Sequence, residues 1–338
     1  VPAVRPVPPA RVAVRLVTEL RQKETETWVR RLEEEPARFG EWPEGLDPRL
    51  IDVLGRRGIR QPYTHQARAI AAAMAGRNAV VVTPTASGKT LCYNAPVLDR
   101  VLKDRSARAL YLFPTKALAQ DQLDELHGLI GDLGGEIGTF TYDGDTPADA
   151  RRAVRQAGHI VLTNPDMLHT AILPHHTKWV QLFESLEFVV IDELHTYRGV
   201  FGSHVANVIR RLRRICQFYG SDPAFILCSA TIANPGELAE RLIGDSVEVI
   251  SESGAPRGER IVVVHNPPVV NRELGIRQSS LKSARDIAAQ LIRSGVQTIV
   301  FAPSRVRVEL LLTYLREALR EKPGDPERVA GYRGGYLP

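Results

Sequence analysis

The sequence predicts an α/β protein whose parallel sheet is covered by helices on both faces. Short, continuously apolar runs recur along the chain, and such runs are typical of strands buried on both sides. Stretches with helical spacing of apolar residues separate these runs, as in consecutive βαβ units of a doubly wound sheet. The predicted strands are residues 79–83, 109–113, 159–163, 188–192 and 224–228.

A second domain is predicted from the length of the chain and from a later group of elements. The chain has 338 residues, which is more than one ordinary domain contains. The later elements are a strand at 260–268, a helix near 280–293, a strand at 297–302 and a helix from about 305. We therefore expect an N-terminal extension over 1–45, a first domain over 46–257 and the start of a second domain over 258–338.

The N-terminal extension is predicted to open in an extended form and to continue as a charged helix. Four prolines among the first ten residues favour an extended, poorly ordered start. Residues 15–35 are expected to be helical, because the pairs Glu19–Lys23 and Glu26–Arg30 have the i,i+4 spacing that stabilises helices.

Composition limits the function classes. Hydrophobic residues make up 43% of the chain and charged residues 25%, as in soluble globular proteins. The 44 Lys+Arg and 39 Asp+Glu give a formal charge of +5, which is compatible with a polyanionic partner. Cys92, Cys216 and Cys228 are scattered and none lies in a CxxC pair, so we expect neither a disulfide framework nor a zinc site.

The sequence predicts no targeting signal. No apolar run approaches the ~18 residues of a membrane span, and the start does not resemble a signal peptide. We therefore expect a cytoplasmic protein without a membrane partner, associated with the nucleoid if the source is bacterial. The chain begins with Val1 instead of Met, so we also expect it to be a piece of a longer protein.

The stretch VVVTPTASGKT at 80–90 predicts a phosphate-binding loop between a strand and a helix. In such loops backbone N–H groups face the phosphates, a lysine reaches the β- and γ-phosphate oxygens, and a threonine hydroxyl holds Mg²⁺. The strict pattern has glycine at position 83, where this chain has Thr83, so a Ser/Gly-rich turn before a helix is the alternative. The predicted nucleotide-binding residues of the loop are Thr85, Ser87, Gly88, Lys89 and Thr90.

Two adjacent carboxylates, Asp192 and Glu193, follow the apolar run FVVI. An aspartate at the carboxyl end of a buried strand is where the Mg²⁺ of a nucleotide is held, and the next glutamate can orient the attacking water. Because parallel strands end at one edge of a sheet, Asp192 and Thr90 could share one metal ion. The alternative is an acidic dipeptide that merely starts a loop, and the Gly88-Lys89-Thr90 partner argues against it.

Further stretches occur in the order found in one family of motor proteins. These stretches are YTHQ at 63–66, FPTKALAQDQ at 113–122, TNPDML at 163–168, SAT at 229–231 and VFAPSR at 300–305. Together with Asp-Glu-Leu-His at 192–195, they resemble the adenine-sensing motif and motifs Ia, Ib, III and IV of superfamily-two helicases of the DExH type. The resemblance implies two RecA-like lobes, of which the first is complete and the second is truncated before motifs V and VI.

A narrower resemblance covers most of the chain. The stretches DELHTYRGVFGSHVANVIRRLRRIC, CSATIANPGEL and YRGGYLP (332–338) resemble the MrfA/YprA-like bacterial helicases, which are relatives of the fungal Hrq DNA-repair helicases. This resemblance implies ATP-driven 3′-to-5′ translocation on single-stranded DNA and a role in DNA repair or genome maintenance.

The resemblance also assigns roles around the nucleotide. Gln66 would read adenine, because a side-chain amide can pair bidentately with N6 and N7. His195 would relay the state of the γ-phosphate to motif III, where Ser229 and Thr231 would couple hydrolysis to lobe movement. The cofactors expected are ATP and Mg²⁺.

Nucleic-acid contacts are predicted at other strand-to-helix turns. These turns offer hydroxyl, amide and cationic donors, which suit sequence-independent binding of phosphates. The predicted contacts are Thr115, Lys116, Thr163, Asn164 and Arg305.

We therefore expect an ATP-dependent helicase or translocase motor that acts on single-stranded DNA and on duplexes with a single-stranded tail. Two alternatives stay open: an RNA helicase, and a nucleotide-gated nucleic-acid-binding module without turnover. The resemblance places the arginine that neutralises the transition state in motif VI of the second lobe. The 338 residues alone are therefore expected to be inactive or nearly so.

Overall fold

The computed structural model describes residues 9–22, 26–134, 136–319 and 329–332. Within this part of the chain, seven parallel strands form one sheet in the order β4-β5-β3-β6-β7-β2-β8. Its strands are β2 (Ala79–Val82), β3 (Arg108–Leu112), β4 (Thr139–Thr141), β5 (Ile160–Thr163), β6 (Leu186–Ile191), β7 (Ala224–Ser229) and β8 (Glu248–Ile250). All five strands predicted for the first domain are present, while the two short edge strands β4 and β8 were not predicted.

The sheet is covered by helices on both faces, which confirms the predicted doubly wound arrangement. Alternate residues of β2 point to opposite sides, so Val81 belongs to one apolar core and Val80 and Val82 to the other. Helices of the first core are α2 (Pro48–Arg56), α3 (Thr64–Met74), α4 (Lys89–Lys103) and α5 (Lys116–Leu133). Those contributing to the second are α6 (Ala148–Ala157), α8 (Val180–Glu184), α9 (Gly199–Tyr219) and α10 (Pro235–Ile243).

Shorter helical segments complete this part of the chain. The three-residue helix α7 (Pro165–Met167) follows β5 and runs into a π-helical turn at Leu168–Ile172 and a 3-10 turn at Leu173–Lys178. Another 3-10 turn, Leu194–Thr196, lies between β6 and α9 and packs against β7. These segments bring the chain back to the sheet with buried apolar residues such as Leu173 and Leu194.

The described residues divide into two compact units. One is Pro36–Arg257, and the other combines the described parts of Val1–Glu35 and Gly258–Pro338. The second unit contains α1 (Pro9–Gln22), β1 (Glu26–Leu32), β9 (Arg260–Asn266), β10 (Val269–Asn271), β11 (Ile276–Arg277), α11 (Ser280–Arg293) and α12 (Arg305–Leu319). The domain boundaries expected from the sequence stay a prediction, although the division at 257/258 coincides with one of them.

The charged helix predicted over 15–35 is wrong in its second half. Helix α1 ends at Gln22, and β1 pairs antiparallel with β9 along the full seven-residue register from Glu26↔Asn266 to Leu32↔Arg260. An i,i+4 ion pair contributes only about 0.2–0.5 kcal/mol. That is too little to outweigh a seven-residue ladder, so pairing at long range decides the conformation. The extended opening predicted for 1–10 lies outside the described residues up to residue 8, and α1 begins at Pro9.

The strand predicted at 297–302 is also not formed. Residues 296–302 have no ladder partner among the described residues, and Ile299 and Phe301 are 77% and 85% exposed. A strand requires a neighbour to receive its backbone hydrogen bonds, which an apolar sequence alone does not supply. The helices on either side were predicted correctly and pack together through Ala288, Leu311 and Leu315. Of the stretch YRGGYLP, residues 333–338 lie outside the described residues.

None of the described helices is long and apolar enough to cross a membrane. The three cysteines are all buried and free, as expected for thiols that take no part in a disulfide.

Candidate nucleotide site and nucleic-acid interface

Most of the predicted site residues of the first unit lie along one edge of the sheet, where the parallel strands end. In spatial order along this edge, Asn164 follows β5, Lys116 follows β3, Asp192 follows β6, Ser229 ends β7 and the phosphate-binding loop follows β2. We name the two parts of the edge after the ligands predicted for them. The nucleotide half lies at β6, β7 and β2, the nucleic-acid half lies at β5 and β3, and the two meet between β3 and β6.

The loop between β2 and α4, which is predicted to bind phosphates, turns at a left-handed glycine. Gly88, at the N-terminus of α4, has φ 74° and ψ 37°, a left-handed conformation that favours glycine. A Cβ at this position would lie 2.5 Å from the Gln66 side-chain nitrogen, so a larger residue would also require the Gln66 side chain to shift. The Lys89 Nζ donates to the carbonyl oxygens of Thr83 at 3.0 Å and Pro84 at 3.1 Å, which holds the ammonium over the loop.

Thr83 accounts for the departure from the glycine pattern. Its side chain is fully buried, and its Oγ1 lies 2.6 Å from the Oγ of Ser87 across the loop. A glycine could not make this bond, so the threonine closes the loop from within. Thr85 is exposed at the tip of the loop. Ser87 is buried, and its hydroxyl contacts Thr83 within the loop.

Helix α3 supports the loop from behind through two side chains. Gln66 accepts from the Tyr63 backbone N–H at 2.8 Å and donates to the Gly88 carbonyl at 2.9 Å. Together these two bonds leave one N–H and one oxygen lone pair of the amide for a ligand. Adenine recognition by Gln66 stays a prediction. The Tyr63 ring stacks on the half-exposed Phe39 at a centroid distance of 5.4 Å, which presents an aromatic face beside the amide.

His65 was not predicted as a site residue. It is buried, its Nδ1 accepts from the Gly254 backbone N–H at 3.2 Å, and its Nε2 lies 3.1 Å from the Ser87 carbonyl oxygen. These partners require a neutral ring with the proton on Nε2. Burial lowers the pKa of His65, the bond to Ser87 raises it, and the Lys89 charge lowers it further.

Asp192 lies in the middle of the edge and is held by two donors. Its Oδ1 accepts from the Glu193 backbone N–H at 2.8 Å, and its Oδ2 lies 3.2 Å from the Tyr93 hydroxyl. Burial raises the pKa of Asp192, and the Glu193 N–H, the Tyr93 hydroxyl and the Lys89 charge oppose this shift. A carboxylate buried in this way gains from a neighbouring cation, which fits a metal-holding role.

Thr90 and Asp192 both face the Tyr93 phenol. Burial raises the pKa of Tyr93 well above its ordinary value and the Asp192 charge raises it further, while a hydrogen bond with Thr90 opposes the shift. The two side chains predicted to share Mg²⁺ therefore both contact one hydroxyl group. Hydroxyl and carboxylate oxygens are ligands that Mg²⁺ prefers.

Glu193 has a left-handed backbone, with φ 53° and ψ 43°, which is rare outside glycine, asparagine and aspartate. Its Oε2 lies 3.1 Å from the Nδ1 of His195, but this nitrogen makes no hydrogen bond within the described residues. The buried Tyr197 hydroxyl and Ser229 Oγ also lack partners there. These three polar atoms lie on β7 and on the turn beside it. A polar ligand such as a phosphate group would supply the hydrogen bonds that they lack among the described residues.

The nucleic-acid half is more exposed. Thr115 is the N-cap of α5, and its Oγ1 accepts from the Leu118 N–H at 3.4 Å. Lys116 is half-exposed and its Nζ forms an ion pair with Asp145 at 2.5 Å, which raises the pKa of the lysine. Asn164 caps α7 through its Oδ1 and keeps its amide N–H groups for other partners.

Thr163 requires a correction. Its side chain is 2% exposed, and its hydroxyl donates to the Tyr142 carbonyl at 2.6 Å. The hydroxyl therefore holds β5 to the neighbouring β4 side of the sheet and is not available to a phosphate. Among the remaining predicted residues, Thr231 is exposed beyond β7, and Arg305 is exposed at the start of α12 in the other unit.

Comparison with known proteins shows the family of this chain. The DEAD/DEAH box helicase family matches residues 63–238, slightly more than half of the chain. The chain belongs to the DEAD/DEAH box helicases. The matched residues include the phosphate-binding loop, Asp192 and Glu193, and the predicted DNA contacts of the first unit.

Individual relatives extend the match over nearly the whole helicase chain. A Bacillus subtilis protein named "Uncharacterized ATP-dependent helicase YprA" is 55% identical over 323 residues, which are 96% of this chain and 43% of the relative. The Saccharomyces cerevisiae "ATP-dependent helicase HRQ1" is 40% identical over 289 residues, 81% of this chain and 26% of the relative. The chain thus spans less than half of the length of these relatives.

A solved structure confirms the RecA-like fold. The crystal structure of the "DUF1998 helicase MrfA bound to DNA and AMPPNP" is 54% identical and has a TM-score of 0.92. It matches 96% of this chain, which covers 45% of the MrfA chain. The predicted resemblance to the MrfA/YprA-like and Hrq helicases is confirmed.

Proposed function

We propose that this chain carries the motor of an ATP-dependent DNA helicase that moves 3′-to-5′ along single-stranded DNA. The observation that carries the proposal is the shared sheet edge, on which the Lys89 loop and the Asp192-Glu193 pair lie beside the phosphate-binding turn of Lys116. MrfA, which is 54% identical, has been crystallised with DNA and with an ATP analogue. A role in genome maintenance rests on the resemblance to the Hrq helicases, of which the Saccharomyces cerevisiae member is 40% identical. The three buried, free cysteines fit a reducing compartment such as the cytoplasm.

The residues of the nucleotide half have distinct tasks in this proposal. Thr90 and Asp192 would hold Mg²⁺, which neutralises charge on the β- and γ-phosphates when it is bound. Lys89 leaves the carbonyl oxygens of Thr83 and Pro84 and donates to phosphate oxygens instead. Glu193 orients the attacking water and accepts its proton, while His195 uses its unpaired Nδ1 to sense the γ-phosphate.

The nucleic-acid half binds the backbone of the strand. Lys116 exchanges Asp145 for a phosphate, and Asn164 donates its free amide N–H groups to another phosphate. Thr115 keeps the first turn of α5 in place, so that backbone N–H groups at the helix N-terminus also face the strand. These contacts read no bases, and affinity should therefore fall with salt and depend little on sequence.

The test is phosphate release by the full-length protein with ATP and Mg²⁺, measured with single-stranded DNA and with RNA of the same sequence. We expect strong stimulation by DNA, and unwinding of a duplex with a 3′ tail but not of one with a 5′ tail. Greater stimulation by RNA would make the protein an RNA helicase, and nucleotide-dependent binding without turnover would make it a binding module. Either result would overturn the proposal. Mg²⁺ chelation should abolish phosphate release.

A further inference from the structure

A single buried hydroxyl group lies where the nucleotide half of the edge meets the nucleic-acid half. The Tyr93 hydroxyl, on α4, is 3.2 Å from Asp192 Oδ2 and 2.9 Å from Gln122 Oε1 on α5. The Tyr93 ring is fully buried and packs edge-to-face on Tyr111 at 5.4 Å, so the hydroxyl has little freedom to move away. Asp192 and Gln122 thus both compete for the hydrogen of this group, whose oxygen also contacts the Thr90 side chain.

The competition has a simple chemical basis. A phenol carries one hydrogen atom and can donate it to only one of two acceptors at a time. The buried hydroxyl stays protonated, so it is a donor to one or the other oxygen. Whichever acceptor carries the larger uncompensated charge attracts the hydrogen more strongly, because charge-assisted hydrogen bonds are the stronger ones.

Gln122 connects this choice to the nucleic-acid half. Helix α5 begins at Lys116, directly after the Thr115 cap, and Gln122 lies six residues along it, roughly 9 Å up the helix axis. A helix transmits a shift at one turn to its N-terminus as a nearly rigid body. The position of Gln122 therefore affects the turn on which Thr115 and Lys116 would bind phosphates.

We propose that Tyr93 is a positioning residue that couples occupancy of the nucleotide site to DNA affinity through Gln122 and α5. The inference rests on the proposed function and deepens it. With no cation at Asp192, the charged carboxylate at 3.2 Å competes with Gln122 at 2.9 Å for the hydrogen and weakens the bond to Gln122. When the carboxylate is engaged by a cation, the hydrogen turns to Gln122 Oε1 and fixes α5 against α4. DNA affinity then differs between the two nucleotide states.

The experiment measures coupling directly in the full-length protein. The dissociation constant of a fluorescent single strand is determined with and without Mg²⁺·AMPPNP, and the ratio of the two is the coupling factor. The affinity for AMPPNP is then measured with and without the same strand. Coupling between two binding sites is reciprocal, so this ratio must give the same factor.

Three variants isolate the hydroxyl group. Tyr93→Phe removes only the oxygen, Gln122→Met removes the acceptor at nearly constant length, and the third variant combines both. Tyr111→Phe is the matched control, because Tyr111 is an equally buried neighbour whose hydroxyl donates to Asn94 at 3.0 Å and does not contact Asp192. Thermal unfolding verifies that the single variants and the control are folded.

We expect Tyr93→Phe and Gln122→Met each to bring the coupling factor about 5- to 10-fold closer to one, as loss of one buried hydrogen bond predicts. The double variant should lose no more than either single variant, because both remove the same link. Tyr111→Phe should keep the wild-type factor. An unchanged factor in Tyr93→Phe, additive losses, or an equal loss in Tyr111→Phe would each overturn the role of Tyr93. A wild-type protein with no coupling at all would instead overturn the proposed function and this inference together.

Discussion

The two halves of the sheet edge are built in different ways. In the nucleotide half, buried side chains join the loop to its surroundings, as in the Thr83–Ser87 bond and the contacts of His65 with Ser87 and Gly254. In the nucleic-acid half, Lys116 is half-exposed and is held by a surface ion pair with Asp145. Buried hydrogen bonds fix geometry before a ligand arrives, whereas exposed charges adapt and are screened by salt. The nucleotide half should therefore be sensitive to small changes in side-chain chemistry, and the nucleic-acid half to ionic strength.

The largest expected effect tests chemistry in the nucleotide half. Glu193→Gln keeps the size of the side chain but removes the carboxylate that we propose accepts a proton from water. DNA-stimulated turnover should fall roughly 10²- to 10⁴-fold, while affinity for ATP stays near the wild-type value. Phosphate release and ATP binding by the full-length protein are measured side by side. Unchanged turnover would remove Glu193 from the catalytic role.

The second effect tests binding in the same half. Lys89→Ala should weaken ATP affinity roughly 10- to 100-fold, because hydrogen bonds that involve a charged donor are worth more than neutral ones. Lys103→Ala, at the far end of α4, is the matched control, since that lysine is paired with Asp99 and lies away from the loop. Equal losses in the two variants, measured by titration with a fluorescent nucleotide, would contradict the assignment.

The third effect tests the nucleic-acid half, where the affinity for the ligand should depend on the salt concentration. Lys116→Ala should lower affinity for every single strand about 3- to 10-fold and reduce the slope of log K against log salt by about one. Arg57→Ala is the control, because Arg57 pairs with Asp132 at the other end of α5, also at 2.5 Å. Asp145→Asn should act in the reverse direction and tighten DNA, since it frees Lys116 and removes a negative charge.

These affinities are measured between roughly 50 and 200 mM salt, a range over which phosphate contacts lose much of their affinity. If Lys116→Ala changed affinity for one sequence only, or left the salt slope unaltered, the phosphate contact would be wrong. Failure of Asp145→Asn to tighten DNA would show that the Lys116–Asp145 pair does not compete with the strand.

The smallest effect concerns the pH dependence of stability and tests His65, which supports the loop of the nucleotide half. Burial lowers the pKa of His65 below its ordinary value of 6.5, so the unfolded chain takes up a proton at a higher pH than the folded one. The stability that the neutral ring contributes is complete above pH 6.5 and is lost as pH falls through the folded pKa. Between roughly pH 7.5 and 5.5, one unit on each side of the ordinary pKa of histidine, His65→Gln should lose about 2 °C less in Tm than wild type. His204→Gln, an exposed change on α9, is the control, and an equal pH response in all three proteins would contradict the role of His65.

The parts of the fold that the sequence predicts are those with local signals. Strands β2, β3, β5, β6 and β7 are apolar and buried throughout most of their length, which makes them visible as continuous runs. The edge strands β4 and β8 have only three residues each and are partly exposed, so no run marks them. The helix predicted over 26–32 and the strand predicted over 297–302 were wrong for a related reason. Strand formation depends on a partner that lies elsewhere in the chain.

The site was predictable to the same extent. Lys89, Thr90, Asp192 and Glu193 lie in short motifs whose spacing carries the chemistry. His65 and Tyr93 were missed, since their partners Gly254 and Asp192 are 189 and 99 residues away in sequence. Gln122 lies inside a motif that was recognised, but its contact with Tyr93 depends on how α4 packs beside α5. The burial of Thr163 likewise follows from the neighbouring strand and not from its own motif.

The left-handed backbone of Glu193 lowers the stability of the fold at a residue that we propose is required for activity. A residue with a side chain in this conformation costs about 1–3 kcal/mol, and glycine would remove most of that cost. If Glu193 is the base that we propose, Glu193→Gly would then give a more heat-resistant protein without catalytic activity. Selection for thermal resistance alone would enrich such inactive molecules, so directed evolution of this motor requires a screen for turnover in every round.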